Sequence, residues 1–206
     1  ELVRQGKVRT IGSPVFPADR IVEAQLVADR RGHLPFRCEQ SNYSIFNRDI
    51  ERAVLPACQR YGMGMIVWSP LDGGFLSGKY RATADLDSDN RISRFNRMFR
   101  GSFDATEDLQ QHKLALVGEL SKLADETGIT LAQLAVAFTL EHPAVTSAII
   151  GPRTMEHLET ILPAGTLRLP TDILDRIDAL VPPGRSINPV MDTPSGTTPD
   201  QLRRPR

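Results

Sequence analysis

Four short apolar runs punctuate the chain, at Val8–Ile11, Phe36–Gln40, Met63–Trp68 and Thr146–Ile150. Runs of that length suit strands better than helices. The residues after them change period. Pro17–Arg31 places Ile21, Val22, Leu26 and Val27 on one helical face, and Asp49–Tyr61 and Thr154–Ile161 follow the second and fourth runs in the same manner. The first three runs recur at about 28 residues, close to the ~30 residues of a strand plus crossover helix. Strands alternating with helices predict a parallel sheet covered by helices.

A long insertion separates the third and fourth runs. Its first part, Arg81–Phe103, is polar and basic without a clear period, and loops of that length are usually functional or mobile. Its Arg91, Arg94, Arg97 and Arg100 could close over phosphates, although such a run is more often a solvated face. Two helices are predicted next. Glu107–Glu126 carries Leu109, Leu116, Leu120 and Leu123 at helical intervals, and a second helix opens at Thr130, which has capping-box spacing to Gln133, and ends at His142–Pro143. A further helix, Asp172–Leu180, precedes a proline- and arginine-rich stretch from Pro182 to Arg206, expected to be a flexible tail. The reading is one domain over residues 1–181 and a tail over 182–206. The opening "ELVRQGK" resembles a last helical turn stopped at Gly6, so a fragment is expected.

Charge narrows the partners. With 25 basic and 25 acidic side chains the chain offers no broad field, which argues against nucleic acid or an anionic membrane surface. No apolar run approaches the roughly 18 residues of a membrane span, and the first residues do not read as a secretory leader. Cys38, Cys58 and the four scattered histidines, His33, His112, His142 and His157, lack metal-ligand spacing. A cytoplasmic protein without a metal is the default expectation.

Ligands of parallel β/α proteins bind where strands end and helices begin. Just past the four runs lie Ser13 and Pro14, then Gln40–Asn42, then Trp68–Lys79, then Gly151–Thr154. All the candidate chemistry therefore falls on one rim. In "WSPLDGGFLSGKY" the sole tryptophan, Trp68, could stack on a flat ligand. Ser69, Gly73, Gly74 and Gly78 would let backbone amides approach phosphate oxygens, and Lys79 adds a charge. The same residues also describe a buried tryptophan followed by a turn-rich loop. In "IIGPRT", Gly151 makes a turn, Thr154 can cap a helix, and Arg153 beside its amides suits an anion, or is simply an exposed arginine. Gln40 could hold an amide-bearing ligand or satisfy local backbone, while Tyr43 reads as packing.

Taken in order, "ELVRQGKVRTIG", "CEQSNYSIFNR", "YGMGMIVWSPLDGGFLSGKY" and "SAIIGPRT" resemble the aldo-keto reductases, in the branch of the potassium-channel β-subunit-like and bacterial reductases. The resemblance runs to about Leu180. It implies an α/β fold of the (β/α)8 TIM-barrel kind, of which this chain supplies the last four β/α units plus a C-terminal helix and tail. It also implies hydride transfer between NADPH and a small carbonyl substrate. Trp68 then matches the residue stacked on the nicotinamide and Gln40 the one holding its carboxamide. Ser69, Pro70, Leu71 and Asp72 follow the pyrophosphate with Lys79 assisting, and Gly151 and Arg153 meet the adenosine 2′-phosphate, favouring NADP.

The chain departs from the family pattern in three places. Pro14 and Val15 stand where a Ser-Asn pair would bind the carboxamide, and His157, Thr160 and Ile161 where Gln, Glu and Asn would face the adenine. The catalytic Asp, Tyr, Lys and His of the family belong to its first four units, and Tyr43, Tyr61 and Tyr80 do not match that tyrosine. Half a barrel would have unpaired edges at Val8–Ile11 and Thr146–Ile150, so a missing half or self-association is expected, with little activity from the chain alone. A non-catalytic NADP-binding module is the alternative.

Overall fold

The computed structural model describes residues 1–80, 107–188 and 192. Within them, strands β1 (Gly12–Pro14), β2 (Cys38–Asn42), β3 (Gly64–Trp68) and β4 (Val145–Ala148) form one parallel sheet in the order β1-β2-β3-β4. Helices α1 (Ala18–Arg31), α2 (Val54–Arg60), α3 (Glu107–Glu126), α4 (Leu131–Glu141), α5 (Met155–Ile161) and α6 (Thr171–Leu180) complete the described fold. The expected α/β alternation is present, and the basic stretch Arg81–Phe103, with its four arginines, lies outside the described residues.

Burial along β3 shows how the layers stack. Met65 and Val67 are fully buried, whereas Gly64, Ile66 and Trp68 between them are only half-buried. Side chains alternate across a strand, so one face carries the helices and the other is more open among the described residues. The covered face joins Leu55, Leu120, Leu134, Ala135 and Ile177 in a single apolar core. Burying side chains of that size contributes about 1.5–3 kcal/mol each. Position α4 begins with the anticipated capping box: the Thr130 hydroxyl accepts from Gln133 N–H at 3.2 Å and the Gln133 amide oxygen accepts from Thr130 N–H at 2.9 Å.

Several boundaries differ from those read in the sequence. The first strand is Gly12–Pro14 rather than Val8–Ile11, because pairing begins only where β2 begins, at Gly12 opposite Cys38. Glycine is required there: a Cβ would stand 2.4 Å from Cys38 Sγ and 2.7 Å from its carbonyl oxygen. The second strand runs two residues later than Phe36–Gln40, and the fourth is Val145–Ala148 rather than Thr146–Ile150. The helix expected over Asp49–Tyr61 breaks at Ala53, with φ −147°, into a 3-10 turn over Asp49–Arg52 and then α2. Pro56 explains the break, since its ring in a continuous helix would meet the Arg52 carbonyl.

The supposed tail is also anchored at its start. Ile187 N–H donates to the Phe46 carbonyl at 2.8 Å, Gly184 N–H to Glu51 Oε2 at 2.8 Å, and Asn188 is buried. These bonds accompany a buried ionic cluster. Arg48 donates to Glu51 Oε1 at 2.9 Å, to Asp178 Oδ1 at 2.7 Å and to the Val181 carbonyl at 2.6 Å, and stacks 5.0 Å above the Phe138 ring. Tyr43 donates to Glu51 Oε1 at 2.6 Å, and burial with the Glu51 charge drives its phenol pKa well up. The packing role read for Tyr43 is thus the observed one. A guanidinium with several partners can be buried without an orphaned charge, and this one fastens α6 to the segment after β2.

His142, at the C-terminal end of α4, is half-buried, and its Nδ1 accepts from Ala144 N–H at 3.2 Å. Burial holds its pKa below the ordinary 6.5. A folded pKa below the unfolded one means the stabilisation is present above pH 6.5 and fades as pH falls beneath it. Chemical denaturation across pH 7.5 to 5 should show that loss, and His142→Asn, which keeps an acceptor but does not titrate, should show a flatter profile.

Candidate functional site

Parallel pairing sets the C-terminal ends of β2, β3 and β4 side by side. Asn42 lies opposite Trp68, Gln40 opposite Ile66, and Ile149 N–H continues the ladder to the Val67 carbonyl at 2.8 Å. Gln40 is exposed and Trp68 half-buried on the open face. Both residues therefore lie on the same face of the sheet.

Beyond Trp68 the chain folds into a tight turn over Asp72–Ser77. Ser69, Asp72, Gly73, Gly74 and Gly78 all have positive φ, with 59° at Ser69, 46° at Asp72 and 117° at Gly74. Only glycine is at ease at the last value. Asp72 N–H donates to the Ser69 carbonyl at 2.8 Å, Gly74 N–H to the Leu71 carbonyl at 2.9 Å, and Ser77 Oγ to the Gly74 carbonyl at 2.6 Å. Pro70 and Asp72 are buried, Ser69 and Leu71 half-buried, and Lys79 exposed. The Asp72 carboxylate is turned inward, where Lys113 Nζ meets Oδ2 at 2.6 Å, so this loop faces the cleft with backbone rather than with that charge.

The β4 loop stands next to this turn. Gly151 and Arg153 are exposed, and Thr154 caps α5 by accepting from His157 N–H at 3.2 Å. Tyr80, which closes the Trp68 loop, feels both neighbours: burial raises its phenol pKa and the nearby Arg153 cation opposes the rise. The Trp68 and Arg153 loops follow neighbouring strands, since β3 pairs with β4 and Ile149 N–H reaches the Val67 carbonyl. Because α5 has only seven residues, a negative ligand there would rely on the Arg153 side chain more than on the helix dipole.

β1 contributes less. Ser13 is buried on the helix-covered side, where its hydroxyl donates to Glu39, so it cannot reach the cleft. Glu39 also accepts from Phe16 N–H at 2.9 Å and Ser41 Oγ at 3.3 Å; burial raises its carboxyl pKa, against the pull of those donors. Pro14, opposite Gln40, has no polar side chain, and Val15 sits at φ 54°, a conformation that strains a β-branched residue. Asn42 was placed on the rim by the sequence but given no role there. It is 6% exposed, and its buried Oδ1 has no hydrogen-bond partner among the described residues. Its alternation with Gln40 was the available signal. No grouping of metal-ligand side chains occurs among the described residues, and no described helix is long and apolar enough to cross a membrane.

These features define a parallel β/α protein whose candidate site residues lie at its strand ends. The Aldo/keto reductase family model matches residues 1–182, and the chain belongs to that family. It is similar to an uncharacterised oxidoreductase, YrpG, of Bacillus subtilis, with 34% identity over 96% of this chain and 53% of the relative. A probable voltage-gated potassium channel subunit beta of Arabidopsis thaliana is 35% identical over 82% of the chain and 51% of its own length. A putative aryl-alcohol dehydrogenase of Saccharomyces cerevisiae, AAD14, is 26% identical over 88% and 46% respectively. The chain spans about half the length of the curated relatives it matches.

Members of this family bind NAD(P)H, and the rim fits such a group at two points. An orphaned acceptor, Asn42 Oδ1, lies in the residue opposite Trp68, and a carboxamide carries N–H donors. Arg153, exposed in the loop after the neighbouring strand β4, carries a charge that suits a phosphate. At Pro14 and Val15 the fit is poor, since neither supplies a polar side chain. Asparagine accepts positive φ far better than valine. Val15→Asn should therefore raise stability by about 1 kcal/mol in urea denaturation; a loss of stability would show that packing of the valine outweighs its backbone strain.

Proposed function

We propose that this chain is the cofactor-binding half of an NADPH-dependent oxidoreductase that reduces aldehydes or ketones to alcohols. Trp68 lies against the nicotinamide and Gln40 holds its carboxamide. Ser69, Pro70, Leu71 and Asp72 follow the pyrophosphate through their backbone, with Lys79 beside it. Gly151 and Arg153 take the adenosine 2′-phosphate, which selects NADP over NAD. The observation that carries the reading is the side-by-side placement of the strand ends, with Asn42 opposite Trp68 and Ile149 N–H bonded to the Val67 carbonyl at 2.8 Å.

The bound cofactor would supply a hydride to the carbonyl carbon of a small substrate. The chain's own residues bind it, orient it and shield one side of it from water. A proton donor must come from elsewhere: the Tyr43 hydroxyl is committed to Glu51, and neither Tyr61 nor Tyr80 matches the catalytic position. The open sheet supports the idea of a partner. Among the described residues β1 and β4 each have one neighbour, and Gln40 is exposed with Ile66 and Trp68 half-buried on their shared face. Four further β/α units would close a barrel over that face and could bring the Asp, Tyr, Lys and His of the family. The same edges support a second reading, a non-catalytic NADP-binding module or a pair of half-barrels formed by two copies of the chain.

NADPH should quench the fluorescence of Trp68, the only tryptophan, more strongly than NADH at equal concentration. Arg153→Ala should remove about tenfold of that preference, the effect of losing one charge-assisted contact. The purified 206-residue chain should not consume NADPH with a carbonyl substrate. Sustained turnover by the chain alone, or quenching indifferent to Arg153, would contradict the proposal.

A further inference from the structure

The structure assigns Lys113 the role of positioning residue for the loop that follows Trp68, an assignment that rests on the reading of that loop as the pyrophosphate site. Lys113 lies on α3, far along the chain from the rim, and is 1% exposed. A buried ammonium of this kind needs a partner of opposite charge. Its Nζ donates to Asp72 Oδ2 at 2.6 Å, and lies 4.9 Å from the centre of the Phe75 ring and 5.7 Å from that of Phe46. Phe75, in the same turn as Asp72, is fully buried. One cation on α3 therefore holds two residues of the turn, one by charge and one by its ring face.

Without that hold, the geometry is unfavourable. Asp72 has φ 46° and Ser69 φ 59°, values that side-chain-bearing residues seldom adopt. Between them, Leu71 and Asp72 make the corner on which the row of backbone amides depends. The ion pair has two consequences for an anion in the cleft. It fixes Asp72 in the left-handed conformation, so the turn keeps its shape before the ligand arrives. It also draws the carboxylate inward and neutralises it, where an unpaired carboxylate would seek water and repel a phosphate. Lys113 acts through Asp72 and needs no contact with the cofactor.

The test compares NADPH affinity, read from Trp68 fluorescence, with thermal stability for the 206-residue chain and its Lys113→Met variant. Folded Lys113→Met should bind NADPH about tenfold more weakly, and Lys113→Arg should recover most of the loss. Binding of 2′-AMP, which lacks the pyrophosphate, should be equal in all three when followed through amide resonances of the Arg153 loop. If Lys113→Met melts earlier but binds NADPH as tightly while folded, Lys113 only supports the fold and the inference is wrong. Should Lys113→Met not fold, Asp72→Asn, which leaves a neutral acceptor for the ammonium, serves instead: weaker NADPH binding with unchanged 2′-AMP binding supports the role, and unchanged NADPH binding overturns it. Failure of the unsubstituted chain to bind NADPH would sink both this inference and the reading beneath it, whereas normal binding by the variants sinks this inference alone.

Discussion

Everything at the rim follows from the parallel pairing of β2, β3 and β4. Parallel strands end on the same side, so three loops that are far apart in the chain must share one edge. The register then sets which side chains meet. Asn42 beside Trp68 and Gln40 beside Ile66 lie on the open face because Glu39, Ser41, Met65 and Val67 are buried beneath the helices. A shift of one residue in β2 would exchange those faces and bury Gln40 while exposing a carboxylate.

Polar groups on the covered face are each tied to a neighbour, and the ties locate the loops. Glu39 takes the Ser13 hydroxyl and the Phe16 amide, which fixes where β1 turns into α1. Arg48 fastens α6 to the start of the 3-10 turn through Asp178 and the Val181 carbonyl. Lys113 fastens the Trp68 loop to α3. In each case a buried charge stays satisfied only while two distant segments remain in register, and that requirement converts burial into precise placement. On the opposite face, Asn42 keeps an oxygen with no hydrogen-bond partner among the described residues.

Much of this was legible in the residues. The alternation of short apolar runs with helical segments predicts the parallel sheet, and Glu107–Glu126 and the Thr130 capping box are found where the pattern puts them. Strand ends differ because apolar content marks where a strand could form, whereas pairing marks where it does; of Val8–Ile11 only the Ile11 carbonyl meets the neighbouring segment, accepting from Arg37 N–H, while Gly12–Pro14 is in register with β2. The placement of Gln40, Trp68 and Arg153 at or just past strand ends was legible from the alternation of apolar runs and turn residues. The inward turn of Asp72 was not, because nothing near it in the chain announces a lysine forty-one residues later. Ser13 was likewise ambiguous until burial assigned it to Glu39 rather than to the cleft.

The central claim is that one rim, drawn from three strand ends, grips an NADPH-like dinucleotide. The most direct measurement is an NMR titration of the isotope-labelled chain with NADPH, following every assigned backbone amide. The account predicts perturbations confined to Gln40–Asn42, Trp68–Lys79 and Gly151–Thr154, saturating together with one dissociation constant. Perturbations centred away from these three loops, or separate saturation of the Trp68 and Arg153 regions, would contradict it.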